Sequence, residues 1–387
     1  MKSGIYIHIP FCARKCRYCD FFSYAADEST KLAYIKALVR EIEAYGKIIR
    51  KSENKVEIST VYIGGGTPSV VPAEYIDEIL RAISLAFCNG EKFQGQEITI
   101  EMNPATVTQD KLEKYRESGI NRISIGMQSA NDKELELLGR LHSYDDFVAC
   151  YEMVRKTGFR NVNIDVMSAL PRQTISSYED TLQKVIDLDP EHISSYSLII
   201  EQGTPFYGLY GENGSKKSEL PDEDTERDMY DLTVEKLAEA GYERYEISNY
   251  SKAGMYSRHN TSYWKRTPYH GFGAGASSFW GNKRWKNTSD MKKYLQLDPE
   301  RLEEIRTEVE DITRMDAMSE TVFLGLRMTK GISKKEFFEA FNEDIHAVFG
   351  KEIEKHVKAG TMIEEGDRLF LSERGIDVSN YVFADFV

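Results

Sequence analysis

Three cysteines, Cys12, Cys16 and Cys19, stand within eight residues of one another, directly after the apolar run Gly4–Pro10. Spacings of four and three residues let one loop wrap three sulfurs around a single small object. Thiolate ligation of an iron–sulfur cluster or of zinc needs that arrangement. A structural zinc site normally closes with four ligands, and Cys88 and Cys150 lie far off in the sequence. The three thiolates therefore leave a metal position open. Cys88 and Cys150 sit at apolar positions of helical patterns and are expected to be bystanders.

Further groups able to do chemistry sit where strand patterns end. Gly64, Gly65 and Gly66 follow an apolar run and would let backbone come close to a ligand, although they lack the dinucleotide G-x-G-x-x-G form. Glu101 and Asp165 each close a strand pattern, where a carboxylate can take hydroxyls or an ammonium group, or cap the next helix. Gln128 and Arg140 could hold polar or carboxylate groups of a ligand.

These residues need a frame that gathers strand ends. Strand patterns are read at Gly4–Pro10, Thr60–Ile63, Glu97–Met102, Arg122–Met127, Asn161–Met167, His192–Ile200 and Tyr242–Ile247. Amphipathic helical patterns at Lys31–Arg50, Pro72–Phe87, Gln109–Glu117, Asp145–Thr157, Ser176–Leu188 and Glu223–Ala240 alternate with them. Six or seven βα units imply a parallel sheet in an α/β fold, barrel-like or doubly wound. In a barrel the site would lie at the C-terminal ends of the strands. The texture changes near Leu297–Glu300, so the chain is divided into residues 1–296 and 297–387. The second part reads as three helices, Asp311–Met328, Ser333–Phe341 and Ile345–Ala359, followed by short strands at Met362–Ile363 and Arg368–Leu371, a small winged-helix-like α+β domain. Tyr207–Pro221 reads as a surface loop.

The C-x3-C-x2-C loop after the first strand resembles the radical S-adenosylmethionine (SAM) superfamily. Tyr6-Ile-His8-Ile-Pro-Phe-Cys12, Val61-Tyr-Ile-Gly64-Gly65-Gly66-Thr67-Pro68, Ile100-Glu101-Met-Asn-Pro104, Ile125-Gly-Met-Gln128-Ser, Gly139-Arg140-Leu-His142 and Asn163-Ile-Asp165 resemble, in order, its oxygen-independent coproporphyrinogen III oxidase-like family. The resemblance covers Gly4 to about Trp285. It implies a partial (β/α)6-type radical SAM barrel with a [4Fe-4S] cluster on Cys12, Cys16 and Cys19. It also implies one or two molecules of SAM: Tyr6, Gly65 and Glu101 match positions contacting the cluster-bound cofactor, and Tyr18, Gly66, Thr67, Gln128, Arg140 and Asp165 match positions contacting a second one.

Two departures point within that family. The oxidase branch carries a further cysteine two residues after the third, where this chain has Phe21, and it carries an N-terminal extension that this chain, with five residues before Tyr6, lacks. His259-Asn260-Thr-Ser-Tyr263-Trp264 matches the H-N-x-x-Y-W motif of the heme chaperone branch. A histidine is the commonest protein ligand of heme iron, and the two aromatic rings offer flat faces to a porphyrin. His142 and His270 are candidate second ligands. The resemblance thus implies a radical SAM-type heme chaperone that binds heme and delivers it to acceptor hemoproteins, respiratory and membrane-associated ones included. The alternative is the oxidase reaction, radical decarboxylation of porphyrinogen propionates, and whether the protein is an enzyme stays open.

Composition sets outer bounds. The 387 residues carry 50 Lys+Arg against 63 Asp+Glu, a net charge of −13. An acidic chain is poorly suited to neutralising phosphates, so no nucleic-acid partner is expected, and a packing or lid role for the winged module is favoured over DNA reading. No apolar run approaches the roughly 20 residues of a membrane span, and the N-terminus carries no apolar signal region. Five cysteines, an odd number, fit free thiols in a reducing compartment, so the cytoplasm is expected. A homodimer is compatible with the sequence.

Overall fold

The structure, a computed structural model, describes residues 2–51 and 56–387. Six parallel strands, β1 (Lys2–Ile9), β2 (Glu57–Gly65), β3 (Glu97–Met102), β4 (Arg122–Gln128), β5 (Val162–Ser168) and β6 (His192–Ser197), lie side by side in chain order. A doubly wound sheet would reverse its strand order at a switch point; this one does not, so the barrel alternative holds. The crossovers carry α1 (Glu28–Lys51), α2 (Ala73–Phe87), α3 (Gln109–Glu117), α4 (Asp132–Leu138) with α5 (Tyr144–Lys156), and α6 (Ile175–Asp187).

The period of two along each strand decides what lies on each side of the sheet. Ile5, Ile7 and Ile9, Val61 and Ile63, Ile98 and Ile100, Ile123 and Ile125, Val162 and Ile164, and Ile193 are buried in the apolar core with the helices. The alternate positions carry Tyr62, Glu101, Arg122, Ser124, Asn163, Asp165 and Ser194, which line the concave side. The same alternation therefore builds an apolar shell and a polar lumen.

Past β6 come α7 (Pro205–Tyr210), α8 (Glu223–Glu239), the short strands β7 (Glu243–Arg244) and β8 (Asn249–Ser251), and α9 (Arg258–Trp264). The residues read as a loop from Tyr207 thus begin in a helix, capped by Thr204 with Pro205 in its first turn. The strand expected over Tyr242–Ile247 contracts to two residues. Strand β9 (Tyr269–Phe272) pairs in parallel with the free edge of β1, and β10 (Ser277–Trp280), β11 (Lys283–Asn287) and β12 (Arg306–Asp311) extend the sheet in antiparallel fashion. Helix α10 (Met291–Leu295) bridges β11 and β12.

Because β12 pairs with β11, the expected junction at 297 falls before the last strand of the large sheet. A second core forms from α11 (Arg314–Gly325), β13 (Ile332–Ser333), α12 (Lys334–Phe341), α13 (Ile345–Lys358), β14 (Met362–Glu365) and β15 (Arg368–Leu371). Its three-stranded antiparallel sheet, order β13-β15-β14, beside these three helices is the expected small α+β layout, to which two short helices, α14 (Glu373–Asp377) and α15 (Ser379–Ala384), add Val382 and Phe383. Residues 306–311, by contrast, belong to the large sheet. Buried Glu320 on α11 fixes the second unit to the first, pairing with Arg266 Nε at 2.6 Å and Arg284 Nη2 at 2.7 Å.

Candidate functional site

The lumen, about 550 Å3, opens at the C-terminal ends of the parallel strands. The loop after β1 brings Cys12, Cys16 and Cys19 to its mouth, together with Tyr18 and Phe21. All three cysteines are unpaired thiols. Burial, with Cys16 and Cys12 nearby, pushes the Cys19 thiol up to about 11. Among the described residues no three His, Cys, Asp or Glu side chains converge on a point as the ligands of one metal ion do. A cubane cluster takes one thiolate per iron, so its ligands surround a body rather than meet at a centre. Three thiols on one loop fit a cluster of that kind.

The glycine turn after β2 is packed against this loop. A Cβ on Gly66 would stand 3.0 Å from Cys12 Sγ and 2.7 Å from the Phe11 carbonyl; Gly65, at φ +116°, would place one 2.7 Å from the His8 ring. Thr67 donates its hydroxyl to Cys12 Sγ at 3.6 Å, and Arg140 Nη1 donates to Cys16 Sγ at 3.6 Å.

Inside the mouth stand two carboxyls. Glu101 accepts from Tyr62 Oη at 2.7 Å and from the Gly65 amide at 3.1 Å. Burial, reinforced by the charge of Asp165, raises it to about 7. Asp165 accepts from Asn163 Nδ2 at 2.7 Å and is likewise raised by burial. Gln128 ends β4 after a register shift, at φ +73°, and accepts from Tyr196 Oη at 3.2 Å. A non-glycine residue held there is strained, as residues at binding sites often are.

Of the residues expected around the cofactor, Tyr18, Gly65, Gly66, Thr67, Glu101, Gln128, Arg140 and Asp165 line this one lumen. Tyr6 stands one layer back, its ring 6.3 Å from that of Tyr62 and its hydroxyl 3.1 Å from His8 Nδ1. Arg122 was not singled out from the sequence. Only 1% exposed, it lines the lumen with Nε and Nη2 unpartnered. A buried cation in that state is a donor set for a ligand or water. The signal was available: a charged residue opening a strand pattern, paired with Thr99 and on the same face as Ser124. The polar groups, the glycine cradle and the thiols together fit a cluster with SAM beside it.

Helix α9 carries the H-N-x-x-Y-W residues, and the structure divides them. Asn260 lines the lumen, whereas Trp264, one turn further along the helix, lines a different cavity. His259 is 1% exposed and both ring nitrogens are engaged, Nδ1 with Thr60 Oγ1 and Nε2 with Tyr263 Oη, each at 2.8 Å. Glu97 accepts the backbone N–H groups of Arg258 at 2.8 Å and His259 at 3.0 Å, holding the start of the helix on β3. His142 is buried beside Arg140, and His270 is packed between Tyr45, Phe87 and Trp280. Burial lowers them to about 4 and about 3. Neither lines the lumen or the cavity beside Trp264.

A six-stranded parallel partial barrel with three cysteines at its mouth defines the radical SAM class. The sequence model of the Radical SAM superfamily matches residues 6–185, and that of the HemN C-terminal domain matches 312–378. The chain is 35% identical over 387 residues to the heme chaperone HemW of Bacillus subtilis, covering all of this chain and 99% of that one, and 33% identical to that of Lactococcus lactis, covering 100% and 97%. It belongs to the HemW family. Among solved structures, coproporphyrinogen III oxidase (HemN) from Escherichia coli superposes with a TM-score of 0.83 at 22% identity, over 100% of this chain and 89% of that one, which establishes the shared fold. No helix among the described residues is long and apolar enough to cross a membrane.

Proposed function

We propose that this chain is a heme chaperone: it binds heme and passes it to acceptor hemoproteins, with a [4Fe-4S] cluster on Cys12, Cys16 and Cys19 and SAM in the lumen. Membership of the HemW family, whose full-length relatives carry that name, is the observation that supports it most. Phe21 at the position of the oxidase's extra cysteine, 60% exposed at the lumen mouth, favours the chaperone over porphyrinogen decarboxylation.

In this reading Cys12, Cys16 and Cys19 would hold the cluster, which would supply a binding point for SAM beside them. Glu101, Gln128, Arg140 and Asp165 orient the cofactor's polar groups, Gly65 and Gly66 admit it close to the backbone, and Tyr18 and Thr67 close the mouth. Tyr6 supports the wall from behind. Helix α9 supplies the heme-associated residues His259, Asn260, Tyr263 and Trp264. A cytoplasmic setting, with acceptors that include membrane-bound hemoproteins, belongs to the same reading. Anaerobic titration of hemin into the cluster-reconstituted protein, followed by transfer to an apo-hemoprotein, tests it. Saturable binding with transfer is expected; conversion of coproporphyrinogen III to protoporphyrinogen IX would instead establish the oxidase.

A further inference from the structure

Toward the C-terminal end of α9, a cavity of about 940 Å3 separates the two units of the chain. Its walls are α9 and the tyrosines Tyr245 and Tyr256 on one side, and α11, α12 and the Met328–Ser333 turn on the other. The volume lies within the roughly 300–1,000 Å3 of pockets that bury most of a small ligand.

The lining differs in charge from the rest of the molecule. The chain as a whole carries −13, yet the lining contains Lys265, Arg266, Arg314, Lys330 and Arg368 and, of acidic residues, Glu336 alone. Arg266 pairs with Glu320 and Arg314 with Glu343. Among the described residues Lys265, Lys330 and Arg368 take part in no salt bridge. Between these cations the walls are aromatic and aliphatic: Trp264, Tyr245, Phe337, Phe341, Ile332 and Met328. Trp264 has Arg327 stacked at 4.4 Å from its ring centre, and its indole N–H is buried without a partner. Basic groups around an apolar, aromatic-walled space suit an apolar body bearing carboxylates at its edge.

We infer that this interdomain cavity is the docking site of a dicarboxylate metalloporphyrin, its ring against the Trp264 wall and its carboxylates on Lys330 and Arg368. The inference rests on the heme chaperone reading and adds the place. The lumen is the weaker alternative, because Glu101 and Asp165 stand in it beside Arg122 and Arg140, so its charge is mixed where the cavity's is basic. It is also the chamber assigned to the cluster and cofactor.

The test is a hemin titration of the full-length, cluster-reconstituted protein, read by the Soret band and by quenching of tryptophan emission. It compares wild type, K330E/R368E and the cavity-filling Thr321→Trp, with far-ultraviolet circular dichroism confirming that each variant is folded. Saturable binding by wild type, weakened at least ten-fold in both variants, is expected. Hemin dimethyl ester, which lacks the carboxylates, should bind wild type and K330E/R368E alike. If wild type binds hemin and both variants bind it equally well, the cavity assignment is overturned while the chaperone reading stands. If wild type shows no saturable binding, both fall.

Discussion

The imidazole of His259 and the hydroxyl of Thr60 stand 2.8 Å apart across 199 residues of sequence, joining α9 to β2 at the wall of the barrel. With Tyr263 on the other nitrogen and the Tyr62 ring stacked 5.0 Å away, the histidine braces the helix that bears the H-N-x-x-Y-W residues. His259→Ala is expected to lower stability by about 2–4 kcal/mol, the usual cost of emptying a buried site and orphaning its partners. The urea midpoint measures it. Loss of hemin binding in that variant should therefore be read alongside its stability.

Acid should destabilise the fold early. Burial lowers His259 and His270 to about 3 and His142 to about 4, so each is neutral in the folded chain and becomes charged in the unfolded one below about pH 6.5. The unfolded state then binds more protons, and stability falls as pH drops from about 6.5 toward those values. Each group contributes up to about 1.4 kcal/mol per pH unit. Thermal melts of wild type and His270→Phe from pH 7 to pH 5 check this; the variant should lose less.

For the cluster, the reconstituted protein is expected to hold about four irons. Cys12→Ala, Cys16→Ala or Cys19→Ala should each abolish the cluster's absorbance, whereas Cys88→Ala and Cys150→Ala leave it intact. Cys150 is buried on α5, its thiol pushed up to about 12, and lies outside the lumen. Iron analysis and the visible spectrum decide. Full iron retained by the triple variant would refute the ligand set.

Glu101 should make cofactor binding pH-dependent. Raised to about 7, it is protonated in the apo protein over the range where an unfolded glutamate is already ionised. Its contribution to stability is present below about pH 4.5 and is lost as pH rises through about 7. Glu101→Gln should therefore stabilise the apo protein at pH 8. A ligand ammonium or hydroxyl prefers the carboxylate, so SAM affinity by calorimetry should rise up to about ten-fold from pH 6 to pH 8 in wild type and stay flat in the variant. Arg122 opposes the raised value, so Arg122→Met should move the midpoint upward.

Much of this was legible in the sequence wherever one local rule acted alone. Glu97–Met102, Gln109–Glu117 and Arg368–Leu371 come out with the ends read from their periodicity, and the cysteine loop sits at a strand's C-terminal end as expected. The strands from Tyr269 to Asp311 were missed because they are short, interrupted by glycines and rich in Lys and Arg, and long-range pairing holds them. Helix α4 was passed over although Asn131 caps it and Gly139 ends it at φ +80°. The motif on α9 was visible as a string of letters. That Asn260 and Trp264 would face different chambers depends on where the helix is pinned, by Glu97 and Thr60, and no local pattern carries that.

Helix α9, seven residues long, thus reaches both chambers, with one side chain in the lumen and another, one turn on, in the interdomain cavity. Two ligands held by one protein are linked reciprocally whatever lies between their chambers. By whatever factor SAM in the lumen changes the affinity of the cavity's ligand, that ligand changes the affinity for SAM by the same factor. On the heme chaperone reading proposed above, cofactor binding alone, without cleavage, would set how tightly heme is held, a use of a radical SAM scaffold that requires no turnover.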